Sequence, residues 1–448
     1  MRFHPPSFLL PLLIIAILAF PIPSRAEGPD LTLDDCVKIA LEKNNGILAE
    51  TERVEAAKAG VGKATSLFLP RLDVSETYMR SDNPVMAFGA KLNQGGFTAA
   101  DFAINRLNNP DAVDNFNLRL QVVQPIFNGG KEWVGLRRAK LGVEASGKGL
   151  KRVRQETVYQ VAQAYWGVAL ASEYMGVAKK ALEATEGHVK LAKSFFDQGM
   201  LVGSELLLAK VRVAEVKESL IKAENRLAYA KDALNVAMGR PQGTPFSPAD
   251  RLEVRERDLK LDALLDETLK SRPDLAGMGV NVKNLGEGVT LAKTGYLPDV
   301  NFIARFEHDT KDIFRGQGDS YTVLGVMSWN VFDGLLTTNS VKEARANYNA
   351  GRHDLDRMRE GALLETRQAY YNLREARERL EVIAASVGEG EEALRIINRR
   401  FEAGMSKTLD VLDAEAALTR ARTNRAQALY DYNVGLAALD YAVGRGQE

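Results

Sequence analysis

Asp410 and Asp413 stand three residues apart in a stretch that reads as helix, so their carboxylates share one face. Three kinds of chemistry use such a pair. A general acid and base need it on the wall of a cleft. A pore uses it as an acidic ring that attracts cations and is plugged by multivalent ones. A plain helix N-terminus uses it to complement the dipole, facing solvent. Spacing alone does not choose among them. The accompaniments of an enzyme are lacking: no convincing nucleophile elbow, phosphate loop or metal signature occurs. Past the N-terminus the histidines are His188, His308 and His353, in different elements, whereas metal ligands normally cluster. The single cysteine, Cys36, excludes an intramolecular disulfide and reads as a helix residue. Neither catalysis, cofactor nor resident metal is expected.

Composition and the N-terminus narrow the setting. Acidic and basic residues balance at 59 each, which argues against a general attraction for nucleic acid. Met1-Arg2, the apolar run Phe8 to Phe20 and the small-residue site Ser24-Arg25-Ala26 read as a secretory leader, residues 1–26, with the mature chain starting near Glu27. Beyond it no apolar stretch reaches the length of a spanning helix, so a membrane span would have to be made of strands. Cys36 lies well past the cleavage site, too far to carry a lipid anchor.

The elements that would position the two aspartates occur twice. Shifted by 205 residues, Phe127 falls on Phe332, Gly129 on Gly334, Gln163-Ala164-Tyr165 on Gln368-Ala369-Tyr370, Gly199-Met200 on Gly404-Met405 and Gly239 on Gly444. Upstream the shift is 228: Leu69-Pro70 falls on Leu297-Pro298 and Leu33 on Leu261, so the first copy carries 23 extra residues. Each copy is too long for a solenoid unit. Two halves of one body are expected: residues 27–239 and 259–448, joined by a Pro-rich linker at 240–258.

Each copy reads helix, strand, strand, long helix, helix. Thr32 to about Ser66 reads as one helix, stopped by Leu69-Pro70. Strands are expected at about 71–82, 114–127, 298–309 and 319–331. The cleanest alternation puts Phe116, Leu118, Leu120 and Val122 on one face, with Asn115, Asn117, Arg119 and Gln121 on the other. Strands of about ten residues suit a tilted bilayer crossing, and equally a half-buried soluble hairpin. The extra residues between about Asn83 and Pro110 read as a long exposed loop. Helical hairpins follow at 130–239 and 335–444. The second helix of each carries a 3,4 repeat, from Leu206 to Ala237 and from Val411 to Ala442, with Arg425 the discordant member. That repeat predicts left-handed supercoiling against a partner.

Taken together, these features resemble the TolC-like outer-membrane efflux proteins over nearly the whole mature chain. The resemblance rests on the duplication, the helix-Leu-Pro-strand junctions, and Gln124-Pro125-Ile126-Phe127-Asn128-Gly129-Gly130 with its counterpart Trp329 to Gly334. It rests also on Phe401-Glu402-Ala403-Gly404 followed by Leu409 to Ala414. It implies a mainly α fold with a membrane β-barrel. In a homotrimer each chain would give four strands to a shared twelve-stranded barrel in outer-membrane lipid, above a coiled-coil helical tube across the periplasm. It implies an exit duct for efflux or type I secretion, working with a periplasmic adaptor and an inner-membrane pump of RND, ABC or MFS type.

The resemblance also implies that Asp410 and Asp413 ring the periplasmic entrance; the first copy has Glu205 and Leu208 there. In the family a tyrosine and an arginine latch to a threonine and an acid. This chain has Phe401 and Ser406 facing Ser204 and Glu205, with Lys407 as a pairing partner for Glu205 or a solvated lysine. The turns at Gly199, Met200, Leu201 and at Gly404, Met405 would meet the adaptor, although Met200 and Leu201 also suit packing inside the tip. The competing reading is a soluble periplasmic coiled-coil protein, which leaves the two strand pairs unexplained.

Overall fold

The computed structural model describes residues 28–254, 256–313, 316 and 318–446; the expected leader lies outside them. After β1 (Asp30–Leu31) come α1 (Leu33–Lys43), α2 (Asn45–Ser66), β2 (Arg71–Ser81), α3 (Pro84–Asn93), α4 (Ile104–Asn108) and β3 (Val113–Asn128). A helical hairpin follows, α5 (Lys131–Asp197) and α6 (Gly203–Ala237). The linker holds β4 (Ser247–Pro248). The second copy comprises α7 (Leu261–Ser271), α8 (Pro273–Lys293), β5 (Asp299–Thr310), β6 (Asp319–Ser328), α9 (Leu336–Glu402) and α10 (Thr408–Val443).

The helix expected from Thr32 to Ser66 is two helices. Asn44 has extended backbone (φ −67°, ψ 123°) and its Oδ1 accepts from Gly46 N–H at 2.8 Å, so it ends α1 and caps α2. Its Nδ2 donates to the Ala237 carbonyl at the end of α6, 2.9 Å away. The second copy repeats the joint in different chemistry. Arg272, between α7 and α8, donates from Nη1 to the Ala442 carbonyl at the end of α10, at 3.1 Å. Position 272 is 44 shifted by 228, and 442 is 237 shifted by 205, so both copies pin a helix break to the same carbonyl.

The long helices α5 and α9 each run 67 residues, roughly 100 Å at 1.5 Å per residue. Each hairpin turns on a left-handed glycine, Gly199 (φ 76°) and Gly404 (φ 71°). In both, the glycine N–H and the next N–H bond back into the last turn: Gly199 to Phe196 and Met200 to Phe195, Gly404 to Phe401 and Met405 to Arg400. This satisfies carbonyls that the helix end leaves open. The α6 and α10 ends close in the same way at Gly239 and Gly444. The packing series runs α6 on α5, α5 on α10, α10 on α9, with α6 and α9 at its two ends. The seam residues Leu206, Ala209, Val216, Ala223, Val411, Leu418, Ala428 and Leu439 are buried, and Arg425 is exposed. The main apolar core gathers Cys36, Val37, Val161, Tyr165, Trp166, Leu234 and Met238. The linker is strapped across it: β4 pairs with β1, and the Asp250 N–H donates to the Tyr165 hydroxyl at 2.9 Å.

The four long strands form one antiparallel sheet in the order β2-β3-β5-β6. Its register sorts residues into two faces. Tyr78, Phe116, Leu118, Leu120, Phe306 and Tyr321 lie on one. The other carries bonded polar pairs, Arg119 Nε to Glu307 at 2.8 Å, Arg305 Nε to Gln121 at 3.1 Å and Asn115 Nδ2 to Asp309 at 2.6 Å. Pro125 sits where the β3–β5 register shifts, a place where a missing N–H costs no ladder bond.

The segment expected as an exposed loop is folded. α3 and α4 occupy it, and Ala87 and Ala90 of α3 are buried against Val113 and Met79 of the sheet. Asn83 caps α3, accepting from Val85 and Met86, and Pro84 suits the first helical turn.

Candidate functional site

The two helical hairpins end together, at the pole opposite the sheet. Beyond Gly404 the chain re-enters helix through Ser406 and Lys407. Asp410 is the third residue of α10, and its Oδ2 accepts from the Lys407 N–H at 2.9 Å and the Ser406 hydroxyl at 2.8 Å. The Lys407 N–H, then the Ser406 hydroxyl, hold its carboxyl below the ordinary aspartate range. Asp410 therefore caps its own helix while remaining exposed, and Asp413 is exposed one turn further on. The structure keeps the two carboxylates on one helix at the tip.

Glu205 is the counterpart of Asp410 in the first copy and takes a different partner. Its Oε2 accepts from the Thr408 hydroxyl at 2.9 Å and from the Thr408 N–H at 3.4 Å. An acid of the first copy thus caps the N-terminal end of the second copy's helix and ties α6 to α10. Thr408, fully buried, is a tip residue that sequence reasoning missed. Its signal was a hydroxyl at the first position of α10, opposite an acid. The Lys407 side chain is exposed and Glu205 is engaged by Thr408 instead. Ser406 bonds within its own hairpin to Asp410, and Ser204 is exposed on α6.

Phe401 serves the tip as core. It is buried, 4.8 Å from the His188 ring and 5.6 Å from Phe195, so α9 grips the end of α5 through aromatic contacts. One turn above, Thr185 donates to Glu415 at 3.0 Å across the α5–α10 contact, both side chains buried. Burial pushes the Glu415 carboxyl up and the His188 imidazole down, since each loses solvation of its charged form. Neither Thr185 nor Glu415 lies on the 3,4 seam, so periodicity did not mark them. At the turns, Met200, Val202 and Met405 are exposed, while Leu201 is half-buried.

A sequence model described as outer membrane efflux protein matches residues 36–240 and 264–445, the two copies in turn. This chain belongs to the outer membrane efflux protein family. Members of the family resemble it at low identity over most of their length. The alkaline protease secretion protein AprF of Pseudomonas aeruginosa is 23% identical over 439 residues, covering 95% of this chain and 87% of that protein. The outer membrane protein TolC of Vibrio cholerae is 22% identical over 353 residues, covering 77% and 80%. The crystal structure of the Campylobacter jejuni CmeC outer membrane channel superposes with a TM-score of 0.79 at 20% identity, covering 93% of this chain and 86% of that one. The fold is therefore that of the efflux family's outer membrane channels: long coiled-coil helices beneath a small sheet, internally duplicated.

Proposed function

We propose that this chain is the outer-membrane exit duct of a tripartite efflux or type I secretion system, acting as a homotrimer. The observation that carries the reading is the sheet. Its four strands end in two unpaired edges, β2 and β6, and an open edge cannot face lipid. Its apolar face leaves Tyr321 83% exposed in the single chain, with Leu72, Val74 and Val323 also exposed. Three copies, β6 of each beside β2 of the next, give twelve strands, no edge, an apolar exterior and a polar lumen. At the sheet–helix junction Trp133, Trp329, Phe127 and Phe332 are exposed, as an interfacial aromatic girdle would be.

The helices then span the periplasm, and the tip meets an adaptor and an inner-membrane pump of RND, ABC or MFS type. The names of the relatives, protease secretion and efflux, support both kinds of traffic. Export requires residues 1–26 to act as a leader. At the tip of the trimer Asp410 and Asp413 supply six carboxylates around the entrance, and Glu205–Thr408 holds each protomer closed.

Single-channel recording in planar bilayers tests this. We expect discrete conductance, blocked by a trivalent cation from the tip side, with block weakened at least tenfold by Asp410→Ala plus Asp413→Ala. Conductance without block removes the carboxylate ring. A folded sample that never inserts, and fractionates as soluble, favours a periplasmic coiled-coil protein.

A further inference from the structure

The first-copy insertion lies on the polar face of the sheet. Met79, Ser81, Val113 and Asn115 share a face by register with Asn117, Arg119 and Glu307, and it is Met79 and Val113 that pack against Ala87 and Ala90 of α3. Gln94, just past α3, donates to Asn115 Oδ1 and to the Asp114 carbonyl, both at 2.7 Å. The far end of α3 abuts the β5–β6 turn, where a Cβ on Gly318 would collide with the Asn93 carbonyl. The helix therefore crosses the sheet from the exit of β2 to β6, at the end remote from the long helices.

In the twelve-stranded barrel proposed above, that polar face is the lumen. Strands about 4.8 Å apart and tilted about 40° give a barrel of roughly 12 Å backbone radius. A helix about 10 Å thick on the inner wall then reaches nearly to the axis. Three such helices leave no wide aqueous passage. The face of α3 turned away from the sheet is apolar. At 100° per residue, Val85 and Leu92 lie opposite Ala87 and Ala90. Val85 is 80% and Ile104 74% exposed, and Phe102 is exposed at the end of an edge-to-face ladder with Phe97 and Phe88. An apolar patch left in a water-filled lumen is unfavourable, and burial against its own copies removes that cost.

We propose that the insertions of three copies of this chain meet at the pore axis through Val85, Leu92, Phe102 and Ile104, forming an apolar lid over the outer mouth of the barrel. The inference rests on the trimeric duct reading. The lid has three parts because the second copy has only eight residues between Thr310 of β5 and Asp319 of β6, without room for an equivalent of α3 and α4. It makes the duct a passage with two constrictions: an acidic one at the tip and a dewettable one at the mouth.

Two variants of the full-length trimer test it. The first carries Val85→Cys and Ile104→Cys together, so that each chain can link to both neighbours, and is treated with a short bis-maleimide. Cys36 is fully buried with its thiol pushed up to about 12 by burial, so the unmodified chain serves as the unreactive control. We expect most variant chains to run as covalent dimers and trimers. In the second variant a short Gly/Asn turn replaces residues 84–108. A polyethylene glycol small enough to fill the barrel, added only on the outer side, should leave the native current unchanged and lower that of the shortened variant at least twofold. Polymer entry into the native pore from the outer side overturns the lid, as does absence of cross-linking in a trimer that conducts. In both cases the duct stands. A preparation that forms neither trimer nor pore overturns the duct and the lid with it.

Discussion

At the scale of single residues, the tip is organised by where two equivalent acids send their carboxylates. Asp410 turns back on Ser406 and Lys407, whereas Glu205 crosses to Thr408. The crossing bond joins the two copies, so it is the one whose loss should loosen the entrance. Glu205→Ala leaves the Thr408 hydroxyl and N–H without that acceptor and should cost about 1 kcal/mol. The expected outcome is higher basal conductance and antibiotic leakage, and unchanged values for both would end the latch idea. Glu415 and His188, both buried, each contribute to the pH dependence of stability. Raised by burial, Glu415 binds more protons folded than unfolded, so stability falls as pH climbs above its ordinary value of 4.5. His188, depressed by burial, binds fewer protons folded, so stability falls as pH drops below its ordinary 6.5. Glu415→Gln should melt progressively higher relative to the native chain as pH climbs from 4.5, whereas a difference that stays constant with pH would show that Glu415 makes no such contribution.

At the scale of elements, glycines decide where helices stop. Gly199 and Gly239 share a left-handed backbone, φ 76° and 71°, but their surroundings differ. A Cβ at Gly199 meets open space, while one at Gly239 runs into the Lys43 carbonyl at the end of α1. Gly199→Ala should therefore cost about 1 kcal/mol of backbone strain. Gly239→Ala should cost at least about 2 kcal/mol, because helix α1 must move as well. Thermal unfolding of the two variants separates them, and equal losses would show that α1 yields freely. This element was legible in sequence as a repeated glycine. The Asn44 break was not: its cap on Gly46 is local, but the Ala237 carbonyl that pins it lies 193 residues away.

At the scale of the whole molecule, the two faces of the sheet fix how the chain meets its surroundings. Val323 and Ser320 lie in the same strand on opposite faces, Ser320 directly across from Glu307. Val323→Arg should cost about 2–4 kcal/mol at mid-bilayer and reduce the yield of inserted trimer. In the proposed barrel Ser320→Arg would point into the lumen beside Glu307 and should insert normally. Equal insertion of both would mean that lipid does not cover the apolar face. The same sorting explains why the insertion between β2 and β3 looked like loop. It is short helix held by Ala87, Ala90 and a bonded Gln94, and small apolar residues and one glutamine carry little periodic signal by themselves.

The sequence by itself determined the duplication, the long helices and the alternating strands, because each is written in local periodicity, 3.5 or 2 residues, or in residues that recur at a fixed shift. It determined the family for the same reason, since the recurring junctions are contiguous. Only the tertiary structure decided which carboxylate caps which helix, which acid is buried, where Asn44 breaks the first helix, and which face of the sheet the insertion covers. The insertion meets the sheet through Gln94 and Asn115, 21 positions apart, whereas the Asn44–Ala237, Glu205–Thr408 and Thr185–Glu415 contacts join residues 193 to 230 positions apart. Such pairings leave no pattern along the chain, because the helices that bring them together are long and the partners meet only when those helices pack side by side.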